Sequence, residues 1–118
     1  MENKLTVYGI KNCDTMKKTF KLLDEHEIPY EFVDYKKTPP TTALLEGFLE
    51  KVTLDKLVNK RGTTYRKLTD DEKAGLDEAI TAIPLLISNS SMIKRPVMVY
   101  PDGEILLGFQ KETILEKK

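Results

Sequence analysis

Cys13 is the single cysteine of the chain, and its place in the sequence is that of an activated nucleophile. It follows a strand-like run, Leu5-Thr6-Val7-Tyr8, and a helical pattern begins directly after it. A cysteine between strand and helix meets unpaired N–H groups and the positive end of the helix dipole. Both favour the thiolate, which is the attacking form. Lys11 and Lys17 or Lys18 add positive charge nearby, while Asp14 works against it. The alternative for such a residue is an inert, buried thiol; the strand-to-helix position favours the reactive one. Met16 stands where a Cys-x-x-Cys motif would carry its second cysteine. No internal dithiol ring can close, so any disulfide must be made with another molecule.

Other polar residues are less specific. Arg61 and Arg66 flank a Gly-Thr-Thr run, and Arg95 directly precedes Pro96 and a strand-like segment. Arginines on loops are by default solvated charge. Arg95 is the more specific of the three, because an X–Pro bond beside a redox site is often cis, and a cis proline serves a purpose. Asn12, Thr15, Thr63 and Thr64 read by default as loop and cap residues. His26, late in the first helical pattern and on its polar face, reads as a surface residue. One histidine and one cysteine cannot build a Cys/His zinc cage, and no metal is expected.

The elements that must hold these residues follow from periodicity. Leu5 to Tyr8 alternates as a short strand and leads into Gly9-Ile10. Met16, Phe20 and Leu23, with lysines between them, make an amphipathic helix that Pro29 stops. Tyr30 to Tyr35 reads as a second strand, so the chain opens with a βαβ unit. Pro39-Pro40-Thr41-Thr42 starts a helix with Leu44, Leu45, Phe48 and Leu49 on its apolar face. A polar stretch follows, from Asn59 to Arg66. Thr69-Asp70-Asp71-Glu72 has the form of a capping box. Thr81 is the expected cap of a further helix, with Pro84 in its first turn. Pro96 to Tyr100 and Glu104 to Gly108 read as strands joined by the turn Pro101-Asp102-Gly103, and a last helix starts from Gln110. The order is βαβ, then helices, then ββα. A small mixed α/β sheet flanked by helices is the thioredoxin-like layout.

With 118 residues the chain has room for a single domain, expected to span 1–118. At this size about two-thirds of the unfolded surface is buried, enough for a core without metal or disulfide. Lysine plus arginine equals aspartate plus glutamate, 19 each, which argues against a general electrostatic grip on nucleic acid or an anionic membrane. Met1 to Leu5 carries no long apolar run, and no stretch approaches the ~20 apolar residues of a membrane span. A lone cysteine fits a reducing compartment, so the expected location is the cytoplasm.

Three motifs, in order, carry a resemblance. They are Tyr8-Gly9-Ile10-Lys11-Asn12-Cys13-Asp14-Thr15, Asn59-Lys60-Arg61-Gly62-Thr63-Thr64-Tyr65-Arg66 and Met92-Ile93-Lys94-Arg95-Pro96-Val97. Together they resemble the arsenate reductase-like (ArsC/Spx) family, and within it the YffB-like branch of thiol reductases, over essentially the whole chain. The resemblance implies a thioredoxin-like fold with an inserted helical segment and a cis Arg95–Pro96 bond. It implies that Cys13 is the nucleophile, with Arg61 and Arg95 beside it to bind an oxyanion or the carboxylates of a thiol substrate. Guanidinium forks suit such anions and stabilise a thiolate. Asn12, Thr15, Thr63, Arg66 and Pro96, which lie in the same motifs, are the expected substrate-binding residues. Arsenate reductases of the family carry a further arginine after the last strand; here that loop is Gly108-Phe109-Gln110-Lys111. Spx-type regulators, which bind RNA polymerase, commonly carry Cys-x-x-Cys, absent here. The expectation is a monomeric monothiol oxidoreductase with no bound cofactor, using glutathione or a similar small thiol as co-substrate. The alternatives are an Spx-like regulator that contacts RNA polymerase, or an arsenate reductase.

Overall fold

The computed structural model describes residues 4–117. The first residues read above for a leader, Met1 to Asn3, lie outside them. In chain order the elements are β1 (Leu5–Gly9), α1 (Asp14–Glu25), β2 (Tyr30–Asp34), α2 (Thr42–Leu49), α3 (Leu54–Leu57), α4 (Thr63–Arg66), α5 (Asp70–Gly75), α6 (Ala79–Ser88), β3 (Val97–Val99), β4 (Ile105–Leu107) and α7 (Lys111–Glu116), with one 3₁₀ turn at Ser90–Met92. They fall into two units. One is built from the chain up to Lys37 and again from Arg95 onward; the other is Thr38–Lys94.

The first unit is a four-stranded mixed sheet in the order β2-β1-β3-β4. β1 pairs parallel with β2, from Leu5 against Tyr30 to Gly9 against Asp34. It pairs antiparallel with β3, with Tyr8 against Val97, and β3 pairs antiparallel with β4. A βαβ half joined to a hairpin half is the thioredoxin-like fold, and the inserted segment is helical. Along β1 the residues Leu5, Val7 and Gly9 are buried while Thr6 and Tyr8 are half-buried, the period of a strand with one covered face. Leu5 and Val7 join Met16, Leu22, Leu23, Met98, Leu106 and Ile114 in one core cluster, against which Cys13 packs. Full burial of side chains this size is worth about 1.5–3 kcal/mol each. Phe20, expected on the buried face of α1, is only half-buried. It stacks on Tyr30 at 5.7 Å and meets Phe32 edge-on at 4.9 Å.

α1 ends earlier than its proline. Glu27 takes a left-handed conformation, φ 55°. The N–H groups of Glu27 and Ile28 donate to the carbonyls of Asp24 at 3.2 Å and Leu23 at 2.9 Å. This is a Schellman closure with a non-glycine residue in the left-handed position. Pro29 follows the stop rather than making it. The hairpin turn forms where its residues predict: Tyr100 N–H donates to Glu104 O at 2.9 Å, and Gly103 takes φ 91°.

In the second unit Thr41 caps α2, accepting from Leu44 N–H at 3.1 Å, and Leu45 and Phe48 are buried. The capping box forms at α5, with Thr69 and Glu72 satisfying each other's backbone N–H. Two expectations are corrected. α6 starts at Ala79 with Glu78 as its cap residue, not at Thr81. The Thr81 hydroxyl donates back to the carbonyls of Gly75 and Glu78 instead of capping forward. Pro84 consequently lies inside the helix, where position 84 supplies no N–H to the turn before it. The polar stretch from Asn59 is also not all loop, since α4 closes a single turn there. Antiparallel pairing joins 57–59 to 92–94: Asn59 N–H donates to Met92 O and Lys94 N–H to Leu57 O, both at 2.7 Å. No described helix is long and apolar enough to cross a membrane.

Candidate active site

The site is built on the edge between β1 and α1. Gly9, the last residue of β1, is held by β2 at Asp34, and its carbonyl accepts from Tyr35 N–H at 2.8 Å. From there Ile10, Lys11 and Asn12 lead to Cys13, whose N–H donates to Lys11 O at 3.1 Å. Cys13 is the cap residue of α1, in extended conformation with φ −147° and ψ 131°. Its carbonyl accepts the first helical bond, from Lys17 N–H at 2.9 Å. The thiol makes no capping hydrogen bond, as expected of so weak an acceptor. The donors of the first turn therefore remain for the charged form.

The electrostatics of Cys13 are a contest. Burial, the largest influence, pushes the thiol up, because it disfavours charge. Against it stand the N–H groups of Met16 and Thr15, then the charge of Arg95 and a hydrogen bond from its guanidinium. The balance holds the Cys13 thiol below its ordinary value. Cys13 is half-buried, so the sulfur is still reachable.

Arg95 reaches the sulfur through the sheet. It stands immediately before β3, and Val97 of β3 pairs with Tyr8 of β1. The end of β1 and the start of β3 are thus neighbours. The Arg95–Pro96 peptide is cis, as expected, and Pro96 is buried. The Pro96 carbonyl accepts from Gly108 N–H at 2.9 Å. Of the cations near Cys13 in sequence, Lys11, Lys17 and Lys18 are exposed; the one acting on the sulfur is Arg95. Thr15 is half-buried and its carbonyl accepts from the Thr19 hydroxyl at 2.8 Å, while Asn12 is exposed. His26 is the cap residue at the far end of α1.

The remaining expected residues belong to the second unit. Arg61 is exposed in the turn before α4, its N–H donating to Asn59 Oδ1 at 3.1 Å. Thr63 and Arg66 are the first and last residues of α4, both exposed. Thr64 bonds Ser91 through their hydroxyls at 2.8 Å. Two contributors escaped the sequence reading: the backbone N–H of Met16, and Gly9, over which the Met16 side chain lies. Met16 reads as an ordinary apolar helix residue, and nothing in its type signals its backbone.

The family signature of ArsC matches residues 8–117. The chain belongs to the ArsC family. An uncharacterized protein of Haemophilus influenzae is 42% identical over 108 residues, covering 92% of this chain and 93% of that one. A solved YffB protein is 39% identical with a TM-score of 0.88, covering 96% of this chain and 97% of that one. More distant relatives include an arsenate reductase of Rhizobium meliloti, 26% identical over 84% of this chain and 71% of that one. Another is the global transcriptional regulator Spx of Enterococcus faecalis, 25% identical over 93% of this chain and 83% of that one.

Proposed function

We propose that this ArsC-family protein is a cytoplasmic monothiol oxidoreductase that acts through Cys13 and uses glutathione or a similar small anionic thiol. The observation that carries the reading is the thiol at the α1 N-terminus beside the Arg95 guanidinium, held below its ordinary value. In the first step the Cys13 thiolate attacks the glutathione sulfur of a mixed disulfide. A new S–S bond forms to Cys13, the old one breaks, and its electron pair leaves with the substrate thiolate. In the second step a glutathione thiolate attacks the Cys13 adduct and releases oxidised glutathione and the Cys13 thiolate. The substrate sulfur is reduced to a thiol and the incoming glutathione sulfur is oxidised, while the first glutathione sulfur enters and leaves at the disulfide level. A chain with one cysteine can run this cycle; it cannot run one through an internal disulfide.

Arg61 and Arg95 are the proposed anion-binding pair, with Asn12, Thr15, Thr63, Arg66 and Pro96 lining the substrate. The protein is proposed to work as a monomer, without metal, nucleic acid or membrane. The test follows adduct mass when reduced protein meets oxidised glutathione or cystamine. Glutathione, with two carboxylates, should add faster than the cationic disulfide, and the preference should shrink as salt rises. Equal rates would remove the glutathione assignment.

A second reading is favoured by the likeness to Spx: a regulator docking on RNA polymerase, for which Cys13→Ser would be without effect and a stable partner would co-purify. A third, arsenate reduction, is supported by the Rhizobium relative but lacks an arginine in Gly108-Phe109-Gln110-Lys111. Brisk arsenate turnover in the same assay would establish it.

A further inference from the structure

Gly9 lies in β1, where alanine is conformationally acceptable, so the need for glycine there is a need for space. A Cβ on Gly9 would stand 2.7 Å from both Sδ and Cε of Met16 and 3.5 Å from its Cγ. The Met16 side chain therefore occupies the volume directly over the Gly9 backbone. It is fully buried and belongs to the core cluster with Leu5, Val7 and Leu23. A Cβ at position 9 would require the sulfur and methyl of Met16 to shift within a packed interior, where voids are few.

Met16 joins this packing to the site. Its side chain seats on the end of β1, and its backbone N–H belongs to the first turn of α1, whose donors act on the Cys13 sulfur. The loop between is short, since Cys13 is four residues beyond Gly9. The height at which α1 sits over the strand end thus sets where the N–H groups of Thr15 and Met16 lie relative to the sulfur.

We infer that the Gly9–Met16 contact is a positioning device for the reaction: glycine at the end of β1 lets the Met16 side chain anchor the first turn of α1 so that its N–H groups address Cys13. This rests on the reading of Cys13 as the nucleophilic thiol. Gly9 and the Met16 side chain are positioning residues, acting through the placement of the first turn of α1. A methionine thus sits where a dithiol enzyme carries its second sulfur and serves as an anchor.

The test is a double-mutant cycle on Gly9→Ala and Met16→Ala, read as the pH profile of Cys13 alkylation by iodoacetamide, with thermal unfolding as the check of fold. In Gly9→Ala the titration midpoint should move up and the rate at pH 7 should fall by about two- to fivefold, the worth of a helix N-terminal interaction. The plateau rate at high pH should not change. Met16→Ala alone should also raise the midpoint, because the anchor is gone. In the double variant the alanine at position 9 should add nothing further. If Gly9→Ala does not fold, the double variant, which removes the overlap, should fold and titrate like Met16→Ala. A wild-type profile already low, with Gly9→Ala superposed on it, would overturn the inference and leave the thiol reading intact. So would equal effects of Gly9→Ala in both backgrounds, or a double variant that fails to fold where Met16→Ala folds. A wild type that titrates as a free thiol would remove the underlying reading and this inference with it.

Discussion

Two helix beginnings in this molecule solve the same problem in opposite ways. At α5 the Thr69 hydroxyl accepts from Glu72 N–H at 3.1 Å, and the Glu72 carboxylate accepts from Thr69 N–H at 2.8 Å. Two backbone donors are satisfied reciprocally, and the start is chemically silent. At α1 the cap residue is Cys13, which makes no capping bond. There the first-turn donors are directed to a sulfur, with Arg95 added from the segment just before β3. The difference is between a helix start that holds structure and one whose unmet donors stabilise a charge. On the proposed reading, Cys13 draws its reactivity from first-turn donors of the kind that the cap at α5 takes up.

The sharpest way to break the comparison is to give α1 the cap it lacks. Cys13→Ser should abolish alkylation and mixed-disulfide formation. Serine is a good cap residue, so the variant should also be more stable near neutral pH, by up to about 1 kcal/mol. That advantage should shrink as pH rises. The Cys13 thiol sits below its ordinary value in the folded chain, so its ionisation stabilises the wild type. That contribution is full above the unfolded thiol's pKa and lost as pH falls through the folded one. Urea midpoints at pH 6 and pH 9 measure this; a serine advantage that grows with pH would contradict it.

Next in size is Arg95→Ala. Removing a charged donor from the sulfur should raise the thiol midpoint and slow alkylation at pH 7 by about tenfold, the scale of a charge-assisted hydrogen bond of ~1.5 kcal/mol. Arg95→Lys should recover only part, because an ammonium lacks the planar fork. An unchanged pH profile for Arg95→Ala would assign the activation to α1 alone. At the other helix start, Thr69→Ala should cost about 1 kcal/mol of stability and leave Cys13 alkylation untouched. A changed alkylation rate would show that the two starts are not independent.

The smallest effect is at the opposite end of α1. Glu27 holds a left-handed conformation, which costs a non-glycine residue about 1 kcal/mol. Glu27→Gly should raise the thermal midpoint by a few degrees, with no change in the thiol. A lowered midpoint would mean that the added freedom of the unfolded chain outweighs the relieved strain.

Much of this was legible in the sequence because it is local. A strand, a cysteine and a helix in succession announce the site, an arginine before a proline and a strand announces its partner, and Thr69 with Glu72 announces the cap. What was hidden is what side chains do at a distance or against their type. The pairing of 57–59 with 92–94 has no local periodicity to reveal it. α3 and α4 are single turns of four residues, too short for a helical pattern to show. Thr81 looks like a cap, yet its hydroxyl turns back to the carbonyls of Gly75 and Glu78. Met16 looks like core, and it is, but the contribution it makes to the site comes from its backbone and from the glycine beneath it.

The central claim is that the Cys13 thiol is activated by its place in the fold, and the pH dependence of its alkylation by iodoacetamide tests this most directly. Reactivity should rise through a midpoint clearly below the free-thiol value of about 8.5 and fall back toward that value when the protein is unfolded in urea. A folded midpoint at or above the unfolded one would contradict the account, because burial would then outweigh Arg95 and the donors of α1.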